Sequence, residues 1–112
     1  MKFKIYRLIL AIIISVMTFK ASALENIILP PGFVIEEYAD VPNARSLVIG
    51  ENGTIFASNR SGDSIFAVVL ENNIAKTITL DDGLSTPNGI AFHDGDLYVA
   101  EIDKIYRYDD IE

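Results

Sequence analysis

The stretch Thr86–Glu101 reads TPNGIAFHDGDLYVAE. Pro-Asn-Gly opens it, a short apolar run follows, His-Asp-Gly interrupts, and a second apolar run closes it. Arg45–Asn59, RSLVIGENGTIFASN, follows the same plan. With Arg45 set over Pro87, Leu47-Val48-Ile49 falls on Gly89-Ile90-Ala91, and Asn52-Gly53 falls on Asp94-Gly95. Ile55-Phe56-Ala57-Ser58 then falls on Leu97-Tyr98-Val99-Ala100, at a constant offset of 42 residues. After a two-residue slip, Ile65-Phe66 matches Ile105-Tyr106. A period of about 40–45 residues with four strands per unit marks a β-propeller blade.

The strands follow from the turns between them. Asn-Gly and Asp-Gly between apolar runs are strong hairpin signals, because both central residues of a type I′ turn need φ > 0. The first blade, residues 45–80, therefore holds strands at Ser46–Ile49, Thr54–Ser58, Ser64–Leu70 and Ala75–Leu80. They turn at Asn52-Gly53, Arg60-Ser61-Gly62-Asp63 and Glu71-Asn72-Asn73. Asp81–Pro87 connects to a second, incomplete blade at 87–112, with strands Gly89–Phe92, Asp96–Glu101 and Lys104–Tyr108. One strand is left over, Phe33–Tyr38, introduced by Pro30-Pro31-Gly32. It reads as the outer strand of a blade outside this chain; the alternative is an edge strand packed under the first blade. The fold class is all-β, a β-propeller represented by about two blades plus this closing strand. Propellers have roughly 4–8 blades, and stacked repeats need about three neighbours to bury their faces. The expectation is the N-terminal portion of a longer protein.

Residues 1–23 stand apart. Lys2, Lys4 and Arg7 precede the apolar run Leu8–Phe19, and Lys20 and Ala21-Ser22-Ala23 follow. Basic, apolar and A-x-A segments in that order predict a secretory signal cleaved between Ala23 and Leu24. The run is short of the ~20 residues a bilayer core requires, so no stable membrane span is expected and the product is secreted or periplasmic. The leader takes four of the nine basic residues and none of the acidic ones, which leaves Leu24–Glu112 with five basic against sixteen acidic, net −11. Such a surface repels nucleic acid. Excess acid can build calcium sites, but here it is spread along the chain as a solvated surface is. With no cysteine, disulfides, thiol chemistry and cysteine-type zinc sites are excluded.

Alternating strand direction puts the first hairpin turn of each blade at one end and the remaining turns and connectors at the other, where propeller ligands usually sit. The candidate residues there are Arg45, Asn59, Arg60, Asn88 and Glu101, with Ser46, Asp63, Thr86 and Asp103 beside them. Arg45 suits a bidentate clamp on a carboxylate or phosphate, or equally a salt bridge to an acidic neighbour. Asn88 suits a cation ligand or a turn cap. Glu101 and Asp103 suit calcium, or simply solvent. His93, the single histidine, falls in a turn at the opposite end and reads as an ordinary turn residue. Asn52-Gly53-Thr54 and Asn59-Arg60-Ser61 fit the glycosylation pattern, but both lie in tight turns.

Several motifs carry a resemblance in their order and spacing. They are Pro30-Pro31-Gly32-Phe33, Ala44-Arg45-Ser46-Leu47, Thr54-Ile55-Phe56-Ala57-Ser58-Asn59-Arg60, Pro87-Asn88-Gly89-Ile90-Ala91, Leu97-Tyr98-Val99-Ala100-Glu101 and Ile105-Tyr106-Arg107-Tyr108. Over nearly all of Leu29–Glu112 the chain resembles the start of the glucose/sorbosone dehydrogenase family of PQQ quinoproteins, on the L-sorbosone dehydrogenase side. The resemblance implies a six-bladed periplasmic propeller with calcium-assisted PQQ at the channel mouth. It implies oxidation of a sugar or aldehyde by hydride transfer to PQQ, a histidine as general base, and an electron acceptor as partner. The family's histidine, calcium ligands and most PQQ-binding arginines and lysines belong to later blades, so no catalytic or metal residue is carried onto this chain. Glucose enzymes of the family have Gln-Asn-Gly where this chain has Pro87-Asn88-Gly89, which favours the sorbosone branch. Two alternatives stay open. Calcium-dependent lactonases similar to gluconolactonase would use Asn88 as a ligand, yet Arg45-Ser46 stands where they place a glutamate. An NHL-like propeller would bind protein or glycan without catalysis.

Overall fold

The computed structural model describes residues 23–112, so the leader reading lies outside the described residues except at Ala23, which opens a short 3-10 turn, Ala23–Asn26. Among the described residues no helix is long and apolar enough to cross a membrane. The described residues fall into two units, one ending at Glu36 and the other running from Glu37 to Glu112. In the first, Phe33 N–H donates to the Pro30 carbonyl at 3.2 Å, and Gly32 takes φ 87°. Proline then glycine at the centre of such a turn is the type II preference.

The second unit is all-β. Seven strands follow in order: β1 (Ala44–Ile49), β2 (Ile55–Asn59), β3 (Ile65–Glu71), β4 (Ile74–Asp81), β5 (Gly89–His93), β6 (Asp96–Ala100) and β7 (Ile105–Tyr108). They form two antiparallel meanders, β1-β2-β3-β4 and β5-β6-β7. Each expected strand of the two repeats is present, shifted by at most two residues at its ends. Phe33–Tyr38 is not a strand of either sheet, so the edge-strand alternative is not formed. Instead Asp40, further along, gives its carbonyl to the Thr77 hydroxyl of β4 at 2.9 Å.

The hairpins show why the sheets form where they do. Asp94 (φ 49°) and Gly95 (φ 83°) are both left-handed, and His93 pairs with Asp96 across them. That is the two-residue I′ connection the Asp-Gly pair predicts. Asn72 (φ 53°) and Asn73 (φ 63°) do the same between Glu71 and Ile74. Asn52-Gly53 departs from expectation, because only Gly53 is left-handed (φ 86°). Gly53 N–H closes a turn on the Gly50 carbonyl at 3.2 Å, and Gly50 N–H donates to Thr54 at 2.9 Å. A turn of ordinary hand followed by a left-handed glycine adds one residue to the loop. Ile49 and Ile55 therefore enclose five residues, whereas Phe92 and Leu97 enclose four.

That extra residue slips the repeat. Directly paired residues share a face and alternate along each strand. By the observed registers, strand β1 matches β5 at an offset of 43, β2 matches β6 at 42, and β3 matches β7 at 40. One face of the first sheet carries Val48, Phe56, Ile65 and Ala67. It packs on the face of the second sheet that carries Ile90, Phe92, Leu97, Val99 and Tyr108. Phe56 and Phe92 stack with ring centroids 5.7 Å apart and planes 12° from parallel. Leu80, Leu84 and Ile111 close the rim of this core. Phe56, Ile65, Leu97 and Val99 are buried completely or nearly so.

Candidate functional site

Three loops meet at one end of the sheets: Arg60–Ser64, Asp82–Asn88 and Glu101–Lys104. Direct hydrogen bonds join them. Leu84 N–H donates to the Asp63 carbonyl at 2.9 Å, and Ser85 N–H donates to Glu101 Oε1 at 2.7 Å. The Ser58 hydroxyl, fully buried at the end of β2, donates to the Asn88 carbonyl at 2.8 Å, with the Ser46 carbonyl a longer contact at 3.5 Å. The connector is tightly wound. Asn88 N–H reaches back to the Thr86 carbonyl at 2.8 Å around the buried Pro87, and Thr86 is held at φ 53°. A β-branched residue in that region is a strained position.

The candidate residues gather here with unequal roles. Arg45 and Arg60 are exposed, and neither forms an ion pair among the described residues. The salt bridge that Arg45 was open to is thus absent from this set. Asn88 is exposed, and it is its backbone that holds the connector. Asn59 is buried, and its Oδ1 accepts the Gly62 N–H at 3.1 Å, an Asx-type cap of the β2–β3 turn. Its amide is inaccessible as a glycosylation acceptor. Glu101 holds protein hydrogen bonds on both carboxylate oxygens. It is half-buried, one oxygen takes Ser85 N–H and the other takes the Tyr106 hydroxyl at 3.3 Å. Thr86 lies at this end as expected, whereas Ser58 and Tyr106 were not readable as site residues, because a serine in an apolar strand and a tyrosine in a short strand carry no distinctive spacing.

Calcium does not fit these residues. Both Glu101 oxygens and the Asn59 oxygen are already acceptors, and among the described residues no three His, Asp or Glu side chains group where a metal could sit. A carboxylate-bearing ligand fits better in chemical type, since two guanidinium groups stand free at this end.

The opposite end is built for fastening. His93 is exposed beside Asp94 at 3.3 Å. Ile111 N–H donates to the Gly95 carbonyl at 3.1 Å. Glu112 Oε2 accepts Asn52 N–H at 3.0 Å, and Oε1 accepts Thr54 N–H at 3.2 Å. Burial pushes the Glu112 pKa up, but the Asn52 N–H, the Thr54 hydroxyl and N–H and the Glu51 N–H outweigh it, so the carboxyl sits below its ordinary value. Between the sheets, Tyr108 donates to Asp81 Oδ2 at 2.7 Å; burial, then that hydrogen bond and the Asp81 charge, hold its hydroxyl protonated well above the usual phenol range. Comparison with known protein families, with curated proteins and with solved structures finds no match.

Proposed function

We propose that the two sheets are consecutive blades of a β-propeller, and that the propeller is an exported PQQ-dependent dehydrogenase of sugars or aldehydes. The observation that carries the propeller is the face-by-face equivalence of the two sheets. Each packs with the same strand order, each turns at the same ends, and the connector delivers the chain from the last strand of one to the first strand of the next. That is how blades succeed one another around a ring. The enzyme class rests on the order of motifs from Pro30 to Tyr108 that resembles the glucose/sorbosone dehydrogenases.

In this reading the described residues supply scaffold and charge, and the proton-transfer chemistry belongs to other blades. Glu101 and Ser58 fix the loops, so that Arg45 and Arg60 are presented from a rigid end. PQQ, when bound, supplies the hydride acceptor, and the two arginines offer charge to its carboxylates. No step is assigned to calcium on these residues. The free guanidinium of Arg45 also weighs against a lactonase, because a cation held at Asn88 would meet a like charge near the start of the neighbouring strand.

The test is dye reduction by the protein with its complete ring, supplied with PQQ and calcium and offered a panel of aldoses and aldehydes. PQQ-dependent turnover is expected, with Arg45→Ala and Arg60→Ala weakening PQQ binding. Lactone hydrolysis without any PQQ-dependent signal would replace this assignment with the lactonase. Neither activity, with binding to a glycan or protein, would replace it with the non-catalytic propeller.

A further inference from the structure

The sequence holds two Asn-Gly pairs, Asn52-Gly53 and Asn88-Gly89. An asparagine side chain before glycine is open to attack by the glycine nitrogen, because no Cβ shields the approach and the backbone turns freely. The two pairs sit in different surroundings. Asn88 is held from both sides: its N–H donates to the Thr86 carbonyl and its carbonyl accepts the Ser58 hydroxyl, each at 2.8 Å. Gly89 lies close against its cross-strand partner, so that a Cβ there would fall 2.9 Å from the Ala100 Cβ. Asn52 is exposed in a turn, and a Cβ built on Gly53 would meet nothing within 4 Å.

Beyond its own backbone hydrogen bonds, the Gly50–Thr54 turn is held by one side chain among the described residues. Glu112 takes Asn52 N–H on one oxygen and Thr54 N–H on the other, so it grips the chain on each side of Gly53. The Gly53 N–H itself rests on the Gly50 carbonyl at 3.2 Å, the long end of the range for such a bond.

We propose that Asn52 is a site of spontaneous deamidation whose rate Glu112 governs, and that the change releases Glu112 from the turn. The Gly53 nitrogen attacks Asn52 Cγ. The N–Cγ bond forms, the Cγ–Nδ2 bond breaks, and Nδ2 leaves as ammonia with the proton from Gly53. Water then opens the cyclic imide at either carbonyl. The product is an aspartate, or an isoaspartyl linkage with a methylene added to the backbone; no oxidant or reductant enters. Ring closure requires the Gly53 nitrogen to leave the Gly50 carbonyl and turn toward Cγ. Glu112 opposes that rotation by pinning both flanking N–H groups. The attack is slow beside the opening of a turn, so its rate follows the population of the open form. Either product sets a new carboxylate beside the N–H that Glu112 accepts, and like charges at that distance repel. The fastening thus protects the bond whose loss undoes it, and the departure of ammonia makes the step one-way.

The protein is incubated at neutral pH in water labelled with heavy oxygen, digested in ordinary water, and its peptides weighed at intervals. Label should enter the Asn52 peptide and not the Asn88 peptide. Glu112 is exposed, so Glu112→Ala leaves the core intact. It should raise the Asn52 rate about fivefold, the equivalent of ~1 kcal/mol of exposed fastening. Gly50→Ala, whose Cβ would fall on the Glu112 carboxylate, should raise it in the same way. In Asn52→Asp, the Thr54 N–H should lose protection from hydrogen exchange. The proposal is overturned by an unlabelled Asn52 once a free peptide of the same sequence is fully labelled. Faster labelling at Asn88 overturns it too, as does a rate indifferent to Glu112. Unchanged Thr54 protection in Asn52→Asp overturns the release.

Discussion

Gly50→Ala probes the fastening of the first hairpin turn. Gly50 lies outside the left-handed region, so alanine suits its backbone, but the added Cβ would fall on the Glu112 carboxylate. Glu112 would have to leave the Asn52 and Thr54 N–H groups that hold it. A hydrogen bond to a charged partner nets about 1.5–3 kcal/mol where it is shielded. Glu112 is exposed, so solvent screening brings the pair together down to about 1 kcal/mol. Against this, Gly→Ala at a compatible site stabilises by about 0.4–1 kcal/mol through the unfolded chain. Gly50→Ala alone should therefore be nearly neutral, and in a Glu112→Ala background it should stabilise. The expected coupling is about 1 kcal/mol, which for a unit of this size separates melting temperatures by about 4–8 °C. Four chains followed by circular dichroism at one fixed concentration give the cycle. The pH dependence has a definite sign. Because the folded Glu112 pKa is lowered, its contribution is present above the unfolded value near ~4.3 and is lost as pH falls through the folded value. Additivity of the two substitutions to within about 0.3 kcal/mol at neutral pH, or a coupling that survives in acid, would refute the reasoning.

Gly89→Ala brings its Cβ to 2.9 Å from that of Ala100, its cross-strand partner. Overpacking of that kind should destabilise by about 1–3 kcal/mol in denaturant titration, and Ala100→Gly in the same chain should restore most of it. Tyr108 has a raised folded pKa, so its contribution is complete below the unfolded value of ~10 and is lost as pH rises beyond it. An alkaline unfolding curve should lose that limb in Tyr108→Phe. N-terminal sequencing of the exported product should begin at Leu24; a product retaining Met1–Ala23 would remove the cleaved-leader reading.

What was legible in the sequence was the punctuation. Asp94-Gly95 and Asn72-Asn73 each adopt two consecutive left-handed residues, because short polar side chains and glycine tolerate φ > 0 where others do not. Those turns frame strands that had few other bounds. Phe33–Tyr38 had strand composition but no partner to pair with, and composition alone does not make a ladder. The candidate end was legible as an end, since antiparallel order fixes which turns cluster. The role of Glu101 was not, because a carboxylate after an apolar strand looks the same whether it faces solvent, a metal or a neighbouring N–H. Only the approach of Ser85 and Tyr106 decides it.

The register of the first strand was the least legible feature and the one with the widest consequence. Leu-Val-Ile and Gly-Ile-Ala are continuous apolar runs, so neither announces which residue faces which side. A constant offset of 42 would set Leu47 and Ile49 over Gly89 and Ala91, small residues on the outer face of the second sheet. The extra residue in the Gly50–Thr54 turn moves the match to Ile90 and Phe92. A one-residue slip exchanges the two faces of a strand. With it, Leu47 and Ile49 align with Ile90 and Phe92, residues of the second sheet's packed face. Without it, Leu47 and Ile49 would have no packed counterparts in the second sheet, although Ala57, Phe66 and Val68 on the same face are buried. The turn geometry at Asn52-Gly53 is therefore what converts a repeated sequence into a repeated pattern of faces.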